Sequence, residues 1–116
     1  MSKDYAEIAH DVASGVGLLK RCAPDATNAF ASLAAAATAA KALDTKTKEL
    51  MALAIGIVIH CDGCVAFHTK KAHQLGASRE EIAETVALAI YMGGGPAAVC
   101  GGDALRAYDQ FAAAKP

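Results

Sequence analysis

Two cysteines three residues apart, a histidine one helical turn beyond them and a carboxylate before an apolar run are the side chains best suited to chemistry in this sequence. All lie in Glu49–His68: Cys61 and Cys64 form a Cys-x-x-Cys pair, His68 follows Cys64 by four residues, and Glu49 precedes the run Leu50–Ile59. If a helix opens at Cys64 or a residue or two earlier, the i, i+3, i+7 spacing puts Cys61, Cys64 and His68 on one face. A cysteine is nucleophilic only as thiolate, and its pKa falls below the free value of about 8.5 at a helix N-terminus, beside a histidine or within a Cys-x-x-Cys turn. Thiol–disulfide chemistry fits this set. His68 can take the proton of Cys64, Glu49 can orient and charge His68, and the partner thiol can resolve a sulfenic acid or mixed disulfide.

Two metal-centred roles compete. A structural zinc ion could use Cys61, Cys64, His68 and a fourth ligand among Glu49, His60 and His73. The second well-spaced ligand pair of ordinary zinc modules is missing, however, and a largely apolar helical domain does not need metal to fold. No metal and no cofactor are therefore expected. Covalent haem attachment requires histidine directly after the second cysteine. That position is Val65.

The surrounding elements read as helices throughout. Ile8, Val12, Val16 and Leu19 mark a first helix over Tyr5 to Lys20, interrupted by Ala23-Pro24-Asp25. Asp25 is placed to cap a second, alanine-rich helix from about Ala26 to Lys41. Asp44 or Thr45 starts a third, through Leu50, Leu53, Ala54, Ile57 and Val58, with Met51, Ile55 and Ile59 on the other side. Such a helix, apolar nearly all round, is expected to be buried all round. Gly56 within it costs about 1 kcal/mol against alanine, which points to a close backbone contact. Glu49 should stand in partly desolvated space, with Lys46 and Lys48 as surface alternatives for its partner.

His60-Cys61-Asp62-Gly63-Cys64 turns into a fourth helix ending near Gln74, with Gly76 at its C-terminal cap. Ser78-Arg79-Glu80-Glu81 has capping-box form and opens a fifth, which Gly93-Gly94-Gly95-Pro96 ends. A sixth runs from Pro96 to about Ala113. No stretch alternates apolar and polar residues as a strand would, and no repeat appears. The fold class is all-α, a compact bundle of about six helices in one domain over residues 1–116.

Composition narrows the function classes. The chain is 116 residues long, 54% hydrophobic and without tryptophan. A chain this short buries only part of its surface in its own core, so a homo-oligomer is expected. The net charge of −1, with both signs interspersed, gives no basic stripe for nucleic acid or anionic lipid. The run Leu50–Ile59 is half of the roughly 20 residues a membrane span needs, and Met1-Ser2-Lys3-Asp4-Tyr5 lacks a signal-peptide core. A cytoplasmic protein without membrane or nucleic-acid partners is the expectation. Four cysteines there are not a disulfide framework, and Cys22 and Cys100, standing alone, are expected as small buried hydrophobes.

Glu49, followed after eleven residues by Cys61-x-x-Cys64-x-x-x-His68, resembles the signature of the alkylhydroperoxidase D family within the carboxymuconolactone decarboxylase superfamily. The similarity extends through Leu43–Leu50, Leu75–Ser78 and Tyr91–Ala97 and covers about the last two thirds of the chain. It implies an all-α subunit assembled into trimers or hexamers, which reduces a hydroperoxide substrate with its cysteine pair and is recycled by a dithiol or protein-thiol reductant. It also implies a catalytic proton relay of Glu49, Cys61, Cys64 and His68. Peroxidase members carry a histidine directly before the second cysteine, where this chain has Gly63. The extra histidine is His60, before the first cysteine, a candidate for that part of the relay. In the decarboxylase branch, which acts on a lactone, the cysteine pair is not the defining feature, so its presence favours the redox branch. A lactone decarboxylase and a zinc-stabilised assembly module are the alternatives.

Overall fold

Side-chain caps decide where most of the helices begin. In a computed structural model describing residues 3–114, six helices follow in chain order: α1 (Tyr5–Cys22), α2 (Pro24–Thr38), α3 (Thr45–Val58), α4 (Asp62–Gln74), α5 (Arg79–Gly93) and α6 (Gly95–Ala113). Met1 and Ser2, part of the stretch read for a signal peptide, lie outside the described residues. Asp4 accepts the Glu7 N–H at 3.0 Å and Asp44 the Thr47 N–H at 2.7 Å, each satisfying a donor that the first helical turn leaves unpaired. Ser78 and Glu81 make the reciprocal capping box, at 3.1 and 2.9 Å. The bundle is all-α, and among the described residues no strand forms and no helix is long and apolar enough to cross a membrane.

The second helix departs from its sequence reading. It begins at Pro24, with Ala23 at the cap position and no side-chain cap, because a proline brings a preset φ and lacks the N–H that would go unsatisfied there. Asp25 sits inside the first turn, where its charge faces the positive end of the helix dipole. At the other end Ala39 is already extended, so the helix stops short of Lys41.

The core gathers around α3, which packs on α4 and α5, while α6 closes against α5 and α4 and α1 lies over α4 and α6. Leu53, Ile57, Val65, Ala66 and Ile82 are fully or almost fully buried within it. The Tyr5 N–H reaches Gln110 Oε1 at 2.7 Å and ties the start of α1 to α6.

Two expectations about burial are corrected. Within one chain α3 buries a single face: Leu53, Gly56 and Ile57 point inward, but Met51, Ile55 and Ile59 are exposed. Ile55 and Ile59 instead border, with Leu88 and Met92 of α5, a wholly apolar groove of about 280 Å³. Cys22 is exposed rather than buried, since it is the last residue of α1, and Cys100 is only partly covered at the edge of the core. Helix α2 touches α1 and the edge of α3 and buries no residue; Phe30 remains 69% exposed.

Candidate active site

The turn between α3 and α4 is built to present sulfur. The last turn of α3 closes with two crossed hydrogen bonds, His60 N–H to Ile57 O at 3.2 Å and Cys61 N–H to Gly56 O at 3.0 Å. This is the Schellman arrangement, whose C′ residue adopts a left-handed conformation. His60 does so, with φ of 61°, a region histidine enters more readily than most non-glycine residues. The same arrangement with Gly76 ends α4.

The reversal places Cys61 at the N-cap of α4, whose first helical residue, Asp62, lies two before Cys64 and within the expected start. The Cys61 Sγ accepts the Cys64 N–H at 3.1 Å, so the helix end favours negative charge on Cys61. Cys61 and Cys64 are joined as a disulfide with a Cα–Cα separation of 5.1 Å. On the inner side, Gly56 of α3 faces Cys64 so closely that a Cβ added to it would stand 2.9 Å from the Cys64 Cβ. The close contact expected of Gly56 is thus a contact with the cysteine pair itself. Asp62, between the cysteines, pairs with Lys3 at 2.8 Å.

Glu49 and His68 meet across the same two helices. Glu49 is 4% exposed and its Oε2 lies 2.6 Å from His68 Nδ1. A buried carboxylate needs such a partner. The surface lysines do not compete for it: Lys46 pairs with Glu81 at 2.9 Å and Lys48 donates to Ala39 O at 2.7 Å. With Glu49 ionised, Nδ1 carries the proton and Nε2 is left as the basic nitrogen. Phe67 packs edge-on against the imidazole with ring centroids 5.1 Å apart. Glu49, Cys61, Cys64 and His68 all line one cavity of about 670 Å³, walled by α1, α2, α3 and α4.

A model of the carboxymuconolactone decarboxylase family matches residues 24–110. The chain belongs to that family. A carboxymuconolactone decarboxylase family protein from Legionella pneumophila, crystallised in its apo form, superposes with a TM-score of 0.90 at 40% identity, covering 92% of this chain and 96% of that one. A family protein from Thermotoga maritima, for which involvement in an antioxidative response has been suggested, gives a TM-score of 0.76 at 30% identity over 95% of this chain and 91% of that one. An uncharacterized protein of Cupriavidus necator is 42% identical over 93 residues, 80% of this chain and 82% of its own length.

Not every nominated residue of the family protein reaches the cavity. His60 is exposed and does not line it, because its backbone is committed to ending α3 and the reversal hands the N-cap position to Cys61. A side chain cannot simply be restored at Gly63 either. A Cβ there would stand 3.0 Å from Val12 Cγ2 of α1, so the Val12 side chain would have to give by a few tenths of an ångström before a histidine could stand at this position. His73, named as a fourth zinc ligand, stacks edge-on against Tyr108 with centroids 5.3 Å apart. Among the described residues no group of three or more histidine, cysteine and acidic side chains converges as a metal site.

Some of the lining had no warning in the sequence. Val12 and Val16 of α1 and Phe30, Ala35 and Thr38 of α2 reach the cavity only through tertiary packing. Phe67, Lys71 and Leu75 could have been found: with Cys64 and His68 they follow the i, i+3, i+4, i+7, i+11 pattern of one helix face.

Proposed function

We propose that the protein is a thiol peroxidase that reduces hydroperoxides with Cys61 and Cys64 and is returned to the dithiol form by a dithiol or protein-thiol donor. The observation that carries this reading is the hydrogen-bonded Glu49–His68 pair, 2.6 Å apart, lining the same cavity as the Cys61–Cys64 disulfide. The suggested antioxidative role of the Thermotoga maritima relative points the same way.

In the dithiol form His68, held by Glu49, takes the proton of Cys64 one helical turn away. The Cys64 thiolate attacks the terminal oxygen of the hydroperoxide and the O–O bond breaks. The alcohol leaves with the proton from His68, and Cys64 becomes a sulfenic acid. Cys61, whose thiolate the Cys64 N–H and the end of α4 favour, then attacks the Cys64 sulfur. Hydroxide departs with the remaining thiol proton as water, and the disulfide forms. Two electrons pass from the thiols to the peroxide, and the donor restores them by exchange at the disulfide.

Such a cycle runs where a thiol pool keeps donors reduced, which in this reading is the cytoplasm. A homo-oligomer, a trimer or hexamer as in alkylhydroperoxidase D proteins, would cover the exposed Leu33 of α2 and the groove between Ile55 and Met92. The deciding experiment is peroxide consumption with a dithiol donor, comparing the parent with Cys61→Ser and Cys64→Ser. Both variants should lose turnover. Peroxide consumption that survives both substitutions would end the proposal.

A further inference from the structure

The cavity over the cysteine pair is far larger than hydrogen peroxide requires and almost free of charge. A water-sized molecule, at about 30 Å³, would occupy on the order of a twentieth of its roughly 670 Å³. Val12, Val16, Phe30, Phe67 and Leu75 supply apolar walls, four of them exposed, so the site is an open cleft, and clefts of this size and character ordinarily hold an organic ligand. Its charged groups are distributed unevenly. Glu49 is buried beside His68, while Lys71 is the one lysine or arginine lining the cavity among the described residues, and it is exposed. The Lys71 Nζ stands 6.0 Å from the Phe67 ring centroid, and Phe67 in turn packs against His68. Cation, aromatic ring and base therefore touch in succession on the face of α4 that also carries Cys64.

We infer that the cavity selects amphipathic substrates with an anionic head, namely organic hydroperoxides that carry a carboxylate, and that Lys71 is the residue that recognises the carboxylate. This deepens the peroxidase reading of the same site and rests on it. The apolar body of the substrate fills the space under α2. Its carboxylate is drawn to Lys71 and repelled by the Glu49 carboxylate, so the molecule enters in one orientation, with its hydroperoxide carbon inside. Each methylene that enters the cavity is worth up to roughly fourfold in binding. The partly hydrated pairing with Lys71 adds roughly two- to fivefold and weakens with salt. The chemistry is unchanged: the thiols give up two electrons, the O–O bond breaks, and a hydroxy acid and water leave.

Binding and turnover are read separately. In the first arm, fully reduced protein is alkylated with iodoacetamide in the presence of dodecanoate or dodecanol, each below the concentration at which it aggregates. Modification is mapped to the peptide carrying Cys61 and Cys64, because exposed Cys22 also reacts. Dodecanoate should protect the pair at roughly two- to fivefold lower concentration than dodecanol, and Lys71→Met should erase that difference. Ala35→Trp, which adds bulk from α2 into the cavity, should weaken protection by both. Equal protection by acid and alcohol in the parent, or a difference that persists in Lys71→Met, overturns the inference. In the second arm kcat/KM is compared for linoleic acid hydroperoxide, its methyl ester and hydrogen peroxide, and should fall in that order. Fastest consumption of hydrogen peroxide also overturns the inference, while leaving the peroxidase reading intact. No consumption of any peroxide, with dodecanoate still protecting, overturns the peroxidase reading and leaves Lys71 as the anion site of an apolar cavity.

Discussion

Replacing Gly56 by alanine sets two effects of opposite sign against each other at the point where the fold meets the site. Gly56 lies within α3, where alanine is favoured over glycine by about 1 kcal/mol. The new methyl would stand 2.9 Å from the Cys64 Cβ, 3.7 Å from the Cys64 carbonyl carbon and 3.8 Å from the Val65 nitrogen. Overpacking of a close contact costs roughly 1–3 kcal/mol. The upper part of that range applies, because the atom that must yield is a Cβ fixed to the α4 backbone and further held by the disulfide. The expected net effect is a destabilisation of up to about 2 kcal/mol. Gly15 provides the control. It is also helical, and a Cβ there meets nothing within 4 Å, so Gly15→Ala should stabilise by about 0.5–1 kcal/mol. Urea unfolding of the oxidised proteins at one fixed protein concentration, read as a shift of midpoint at constant slope, measures both. A second readout belongs to the site. Glu49 is on α3 and Cys64 and His68 are on α4, so pushing the helices apart should lengthen the 2.6 Å Glu49–His68 contact and slow alkylation of the reduced pair. If Gly56→Ala stabilises as much as Gly15→Ala and leaves the pair equally reactive, the close approach of the two helices does not position the site.

His68→Ala and Glu49→Gln should each slow alkylation of the Cys61/Cys64 peptide near neutral pH, and peroxide turnover should drop by roughly 10²–10⁴-fold if proton transfer limits it. The alkylation deficit should shrink at high pH, where solvent removes the proton; parent-like rates at neutral pH in both folded variants would make the pair structural. Mild peroxide treatment followed by mass mapping should find Cys61 bridged to Cys64 within one chain, and bridges running mainly through Cys22 or Cys100 would contradict the redox assignment. Light scattering at micromolar concentration should find a symmetric homo-oligomer, and a stable monomer would mean that the apolar surface of α2, α3 and α5 serves something else. Acid should destabilise the protein in a defined direction. The Thr47 side chain and N–H hold Asp44 below the usual carboxyl range, the Ser78 N–H and then Lys46 do so for Glu81, and the Arg79 guanidinium does so for Asp109. The unfolded chain then binds more protons than the folded one, so this stability is present above about pH 4 and is lost as pH falls through the lower folded values. Urea midpoints measured down that range should show the decline, and Glu81→Gln should flatten it.

The six helices and their order were legible because each is announced locally. The caps at Asp44 and Ser78, the proline and glycine breaks and the 3.6-residue apolar period act within a few residues of one another and need no partner. The site was legible for a related reason. Cys61, Cys64 and His68 lie on one turn and one helix, and Glu49 stood out as the last charged residue before the apolar run that leads to them. Direct sequence reasoning went astray where a position is settled by something distant in the chain. His60 was a chemical candidate by type and adjacency, yet the hydrogen bonds that close α3 make it a left-handed cap and turn it from the cavity. The cap position fell to Ala23 rather than Asp25 because Pro24 opens the helix, and α3 was taken as buried all round although periodicity cannot say whether a second apolar face meets its own chain or another one. Only tertiary packing could bring Val12 against Gly63, set Gly56 against Cys64 and roof the cysteines with α2. Those contacts join residues on different helices, and they depend on how helices cross rather than on where each one starts and stops.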